Sequence, residues 1–309
     1  MTLRAVGFVI GGLIALLQVS VDGQTSQNAG PAPGETLSES YRGSQRNNVE
    51  YQKIPPVKVF DNLYYVGPGF VSVWLIPTTD GLILVDSAQE PYVDHVIDNI
   101  RKAGFDPRKI TYILITHGHL DHFGGAAKIQ ALSGARVAML EEDWQLIDAA
   151  ARAPASSNRP LGQMLKRDMV IKEGDTITLG KTPVKVYKLP GHTPGSASFE
   201  LTVYDGARPH NAFVFGGPGQ RNGVEGGTQF LASIERLRRD FSHIDVPVHV
   251  HSWLTTYPYP GGAVLERAQK LAQRKPGEPH PFVDNATWRQ WLETAHGGTL
   301  KYIEDAKER

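Results

Sequence analysis

Cysteine is absent from all 309 residues, which excludes disulfide bonds and restricts metal ligation to His, Asp and Glu. Net charge is missing too: Lys plus Arg and Asp plus Glu both number 32, so no basic excess points to nucleic acid or an anionic membrane. No short-period repeat runs through the chain. A globular chain acting on a small molecule or peptide is the default that remains, and 40% hydrophobic residues suffice for a sizeable core.

What is present begins with an apolar N-terminus. Arg4 precedes a Leu-, Val-, Ile- and Gly-rich stretch from Ala5 to Val21, somewhat short of a bilayer span, with small residues near Gly23. This predicts a secretory signal over residues 1–23 and export across the inner membrane to the periplasm. An uncleaved anchor is the competing reading and the one route to membrane contact. From Gln24 to Asn48 the chain is rich in Ser, Gln, Asn, Gly and Pro, which predicts a flexible linker over 24–50 and a single domain over 51–309.

That domain opens with short β-rich runs punctuated by turn residues: 57–60, 63–66, 71–76 and 81–86. Beyond Asp86 the period becomes helical at Val93, Val96, Ile97, Ile100 and Ala103. Alternation continues with strands at 111–115 and 136–140 and helices from about His122 to Leu132 and over 141–151, then a polar loop from Pro154 to Pro160. Further strands are expected at 176–179, 184–189, 196–203, 212–215 and 246–250. Helices are expected at 228–241, 262–274 and 286–307. Strand clusters followed by βα units in both halves fit two sheets packed together with helices outside.

The chemistry concentrates at His117-Gly-His119-Leu-Asp121-His122, four metal-capable side chains in six positions after an apolar strand. In an extended segment His117, His119 and Asp121 start on one face and His122 on the other, so one small ion cannot easily take all four. Two adjacent ions can share them. A histidine tag has a similar composition but sits at a terminus, whereas this run precedes Gly124-Gly125 and a helix.

Two later segments offer more nitrogen ligands. Gly191-His192-Thr193-Pro194-Gly195 forms a tight turn between strands, presenting His192 at a sheet edge. His249 and His251 lie two apart, hence on one strand face, beyond which a metal would sit. His251 reaches further; His249 is the competitor.

In this order, the three segments resemble the metallo-β-lactamase superfamily, and Asn62 to Gly67, Gly81 to Asp86 and Pro281 to Asp284 look like its subclass B3. The resemblance runs from about Val57 to the C-terminus. It implies an α/β (α+β) four-layer αββα sandwich with two Zn2+ ions in a groove at one edge. His117, His119 and His192 would hold the first zinc; Asp121, His122 and His251 would hold the second. Asp121 would also orient the attacking water, a catalytic role, and Asp86 would support the ligands by hydrogen bonding.

Two departures from relatives bear on substrate. Many hydrolases of the superfamily, glyoxalase II and many lactonases among them, carry a metal-bridging Asp near Phe213 to Gly217, where this chain has no carboxylate and Glu225 is only a distant substitute. B3 enzymes also use a serine-containing stretch after this strand to bind the substrate carboxylate. Here Gly217 to Asn222 stands instead, with Arg221 as a candidate for the same task. The expectation is a zinc-dependent hydrolase opening β-lactam amides. The rivals are the same machinery on another amide, lactone or ester, and a secreted zinc-binding protein with little catalysis.

Overall fold

The computed structural model describes residues 30–152, 165–252, 257, 259 and 263–308. The expected signal at 1–23, the start of the expected linker and the polar loop from Pro154 to Pro160 lie outside them.

The stretch expected to be a flexible linker is folded over most of its described part. Thr36 and Glu39 make a capping box for helix α1 (Leu37–Arg42), and Asn48 caps α2 (Val49–Gln52). Composition averages hid three anchors. Ser38 donates from its amide and hydroxyl to Glu266 at 2.7 and 2.6 Å, buried Gln52 donates to the Tyr41 carbonyl at 2.8 Å, and Tyr41 packs 4.7 Å from the Tyr51 ring. Enough surface is buried to offset the ordering entropy that the polar composition alone could not.

Strands β1 (Val57–Phe60), β2 (Leu63–Tyr65), β3 (Trp74–Pro77) and β4 (Leu82–Val85) form an antiparallel meander. Helices α3 (Val93–Lys102), α5 (Ala126–Ser133) and α6 (Glu141–Arg152) lie in turn between β4 and the strands parallel to it, β5 (Ile110–Leu114), β6 (Arg136–Leu140) and β7 (Met169–Ile171), which complete a seven-stranded sheet. Strand β7 had no clear signature in sequence. The helix expected from about His122 is broken: one turn, α4 (Leu120–Phe123), is separated from α5 by Gly124 and Gly125. A Cβ on Gly125 would press on the Ser87 carbonyl and the Val93 side chain, so the chain passes there only as glycine.

The second sheet has five strands in the order β12-β11-β10-β9-β8: β8 (Thr176–Leu179), β9 (Thr182–Lys188), β10 (Ala197–Asp205), β11 (Arg208–Phe215) and β12 (Val246–His249). Helix α7 (Gly223–Asp240) makes the parallel crossover from β11 to β12, and α8 (Val264–Ala272) and α9 (Asn285–Lys307) follow. Helix α7 starts five residues earlier than the expected 228, absorbing Gly226 and Gly227. A side chain on Gly227 would collide with Ile303 and Tyr302 of α9, so this glycine lets the two helices approach.

Strand β11 shows how the layers form. Ala212 and Val214 point into the core between the sheets, while Phe213 and Phe215 point outward into a second core with Phe230, Ile234, Trp288 and Trp291 of α7 and α9. A period of two with both faces apolar is what a sheet covered on both sides requires. Each of these buried aromatic side chains contributes roughly 2–3 kcal/mol by leaving water. With α3 and α5 covering the other sheet, the architecture is the expected αββα sandwich. No helix among the described residues is long and apolar enough to cross a membrane.

Candidate metal centre

The functional side chains gather where strands end and chain direction changes. After β5, His117 is fully buried and His119 stands at the head of the single turn α4, which carries Asp121 and His122. His192 arrives from the turn between β9 and β10, and His251 from just beyond β12. Six residues from three separate segments meet as two groups, His117, His119 and His192 in one and Asp121, His122 and His251 in the other, with donor atoms in each within 4.8 Å of one another.

In the second group, His122 Nε2 lies 3.3 Å from His251 Nε2, and Asp121 Oδ2 lies 3.6 and 3.9 Å from these two atoms. A tetrahedral ion with ligand bonds of about 2.1 Å spaces its donors about 3.4 Å apart, so the triangle fits a zinc-sized ion. The first group passes a different test. His117 Nε2 is buried and has no hydrogen-bond partner among the described residues, an arrangement costly in itself and natural for a metal ligand.

Neighbouring groups set which ring nitrogen is free. His192 Nδ1 donates to the Gly219 carbonyl at 2.8 Å, leaving Nε2 its lone pair. His122 Nδ1 donates at 2.7 Å to Asp86, which also accepts from the Thr116 amide at 2.8 Å and from the Thr116 hydroxyl. Asp86, fully buried at the end of β4, adopts a left-handed conformation with φ 62° that directs its carboxylate beneath the site. It fixes the orientation of the His122 imidazole.

Burial, then the neighbouring histidines, keep His117 neutral by pushing its pKa well down. Burial and the charge of Arg221 bring His119 to about 4, and burial followed by His119 brings His192 to about 2. His251 is pushed well below its usual range by burial and by Arg42. For His122 burial works the same way, but Asp121 and Asp86 outweigh it and the pKa is raised. Neutral imidazoles are the form that ligates metals.

The outcome for His249 separates it from His251. Strand β12 ends at His249, so the two rings do not share a strand face. His249 turns toward Tyr259 and Trp291, 4.9 and 5.5 Å away, and neither of its nitrogens has a partner among the described residues. Arg221 is exposed at the rim of the first group, fixed by its amide to the Gly191 carbonyl at 2.9 Å.

The family model described as the metallo-beta-lactamase superfamily matches residues 66–205, which include five of the six gathered side chains. Over these residues the chain is similar to the metallo-β-lactamase superfamily.

Its fold is that of solved superfamily enzymes. BJP-1, a subclass B3 metallo-β-lactamase of Bradyrhizobium japonicum, is 29% identical with a TM-score of 0.70, covering 84% of this chain and 98% of that one. FEZ-1 from Legionella gormanii superposes with a TM-score of 0.72 at 23% identity, covering 83% and 98%, a likeness of fold alone. Curated sequence relatives carry another name: a hydroxyacylglutathione hydrolase of Maricaulis maris is 34% identical over 113 residues, 37% of this chain and 36% of that protein. A second one, from Acidiphilium cryptum, is 30% identical over 164 residues, 53% and 57% of the two chains. The match thus spans about a third to somewhat over half of these two curated relatives.

Two residues at this site escaped the sequence. Asp143, fully buried at the start of α6, accepts hydrogen bonds from both histidine-bearing loops. Its only sequence signal is an acidic first helical turn, Glu141-Glu142-Asp143. Arg42 comes from the supposed linker and lies 2.6 Å from His251 Nδ1, and nothing in its local sequence marks it.

Proposed function

We propose that this protein is a zinc-dependent hydrolase that opens β-lactam amides, with two zinc ions held by the two side-chain groups. The observation carrying this reading is the pairing of a full His/Asp ligand set with a missing carboxylate at Gly216 and Gly217. A side chain at Gly216 would collide with the Ala197 carbonyl, so no residue but glycine fits there. Gly217 has room, its would-be Cβ standing 3.8 Å from that of His192, yet it supplies no acid. A bridging Asp is what glyoxalase II and many lactonases have near here.

His117, His119 and His192 would hold the first zinc and Asp121, His122 and His251 the second. Bound zinc supplies Lewis acidity and lowers the pKa of water to about 7. The chain's own residues do the positioning. Asp86 and the Gly219 carbonyl fix the imidazole tautomers, and partly exposed Asp121 accepts a hydrogen bond from the attacking water. Arg221 binds the substrate carboxylate through charge-assisted bonds. Water adds to the carbonyl, the C–N bond breaks, and the water's proton ends on the ring nitrogen. Export to the periplasm, resting on Arg4 and the apolar run after it, belongs to the same proposal.

The names of the curated relatives favour a second substrate, a glutathione thioester, for the same machinery. Purified protein is therefore assayed with zinc, with a chelator and with zinc restored, on penicillin, cephalosporin, carbapenem, thioester, lactone and ester substrates. Chelator-sensitive turnover of β-lactams is expected, with KM raised about tenfold in Arg221→Ala, the loss of ~1.4 kcal/mol of charge-assisted binding. Zinc uptake with thioester turnover alone would transfer the assignment, and zinc uptake without any turnover would leave a metal-binding protein.

A further inference from the structure

The two groups are not equivalent, because a cation is already attached to one of them. Arg42 Nη1 lies 2.6 Å from His251 Nδ1 and 3.4 Å from the Phe70 carbonyl. A guanidinium only donates, so at that distance His251 Nδ1 accepts. A neutral imidazole whose Nδ1 accepts carries its proton on Nε2, the atom facing His122 and Asp121. His122 Nδ1 donates to Asp86, so His122 Nε2 is an acceptor. The second group is therefore closed by one directed chain, Arg42 to His251 to His122 to Asp86.

A metal at this position needs the opposite tautomer of His251, with the lone pair on Nε2 and the proton on Nδ1. The acceptor for that proton is present, since the Phe70 carbonyl lies 3.2 Å from Nδ1. Arg42 Nη1 then faces an N–H instead of a lone pair, and the contact becomes repulsive. In the first group the Nδ1 partners among the described residues are uncharged: a carbonyl holds His192 Nδ1 and the Thr116 hydroxyl holds His117 Nδ1.

We infer that Arg42 is a resident competitor for the second metal position: it and the second metal require opposite tautomers of His251, so the two ions load in separate steps, tight and then weak. The inference rests on the proposed reading that both groups hold metal. Helix α1, which carries Arg42 and is docked through Ser38 to Glu266, is thereby coupled to occupancy of the second position. Arg42 is a positioning residue, since it touches a ligand and not the reacting atoms.

Zinc titration against a chromophoric chelator reads the two steps directly. The wild-type chain is expected to show two constants at least tenfold apart. Arg42→Met, which keeps the buried stem, is expected to tighten the second at least tenfold and leave the first within about twofold. Nitrogen-15 spectra of the histidine rings in zinc-free wild-type protein need no variant, and are expected to show the His251 proton on Nε2. A proton on Nδ1 overturns the inference, as does uptake of two zincs with constants that Arg42→Met leaves unchanged. No zinc uptake at all overturns the metal reading beneath it as well.

Discussion

Asp143 and Gly195 are joined by a hydrogen bond of 2.8 Å from the glycine amide to Oδ1, and the same carboxylate's Oδ2 accepts from the Gly118 amide and the Thr193 hydroxyl at 2.7 Å each. One buried carboxylate thus pins the loop carrying His117 and His119 to the loop carrying His192. A Cβ on Gly195 would press against Asp143, so the contact also explains a glycine at that position. Burial raises the Asp143 pKa, and the three donors work against that rise.

Removing this acceptor should therefore cost both stability and metal. Asp143→Ala strands three donors in a buried place and is expected to lose about 3 kcal/mol or more, read by urea unfolding of the zinc-free protein. Zinc affinity at the first position should fall by roughly 10- to 100-fold, as for other residues that hold metal ligands in place. Wild-type affinity in a destabilised variant would mean that the loops place His192 without help.

His251 and His249 offer a matched pair of substitutions. His251→Ala is expected to reduce zinc stoichiometry from two to one. His249→Phe should keep both ions, because that ring already lies among Phe215, Tyr259 and Trp291 and its nitrogens have no partner among the described residues. Its stability should be unchanged or higher, within about 1 kcal/mol, since an apolar group of similar shape replaces an unsatisfied polar one. Loss of zinc in His249→Phe would reverse the assignment of the two residues.

The depressed histidines set the pH response of the zinc-free protein. His119 is held down to about 4 and His192 to about 2, mainly by burial, against about 6.5 in an unfolded chain. Below about pH 6.5 the unfolded chain takes up protons that the folded chain refuses, so stability falls with pH. The loss continues to about pH 4 for His119 and further for His192, with a slope of about 1.4 kcal/mol per pH unit for each. His117 and His251 shift the same way. His122, raised, opposes them: its stabilisation is full below the unfolded pKa and is lost as pH rises through the folded one. Urea midpoints measured with chelator should fall as pH drops from about 6.5 to 5, and a flat profile there would contradict the burial of these rings.

The sequence by itself determined what is local. Strand and helix periods, the crowding of four metal-capable side chains between His117 and His122, and the turn that presents His192 are consequences of residues near one another along the chain, where spacing translates directly into direction. The fold class followed, because alternating β and α periods have few ways to bury their apolar faces. The tertiary structure decided what depends on partners far away. His251 separated from His249 only because β12 stops at His249, and Asp143 became a clasp only when sheet packing brought Thr193 and Gly195 to it, 50 and 52 residues on. Arg42 lies 209 residues from the imidazole it touches, on a helix whose composition resembles a linker until Tyr41 is buried. Composition averages over such a segment, whereas docking depends on a few side chains finding surfaces that exist only after the two sheets have closed.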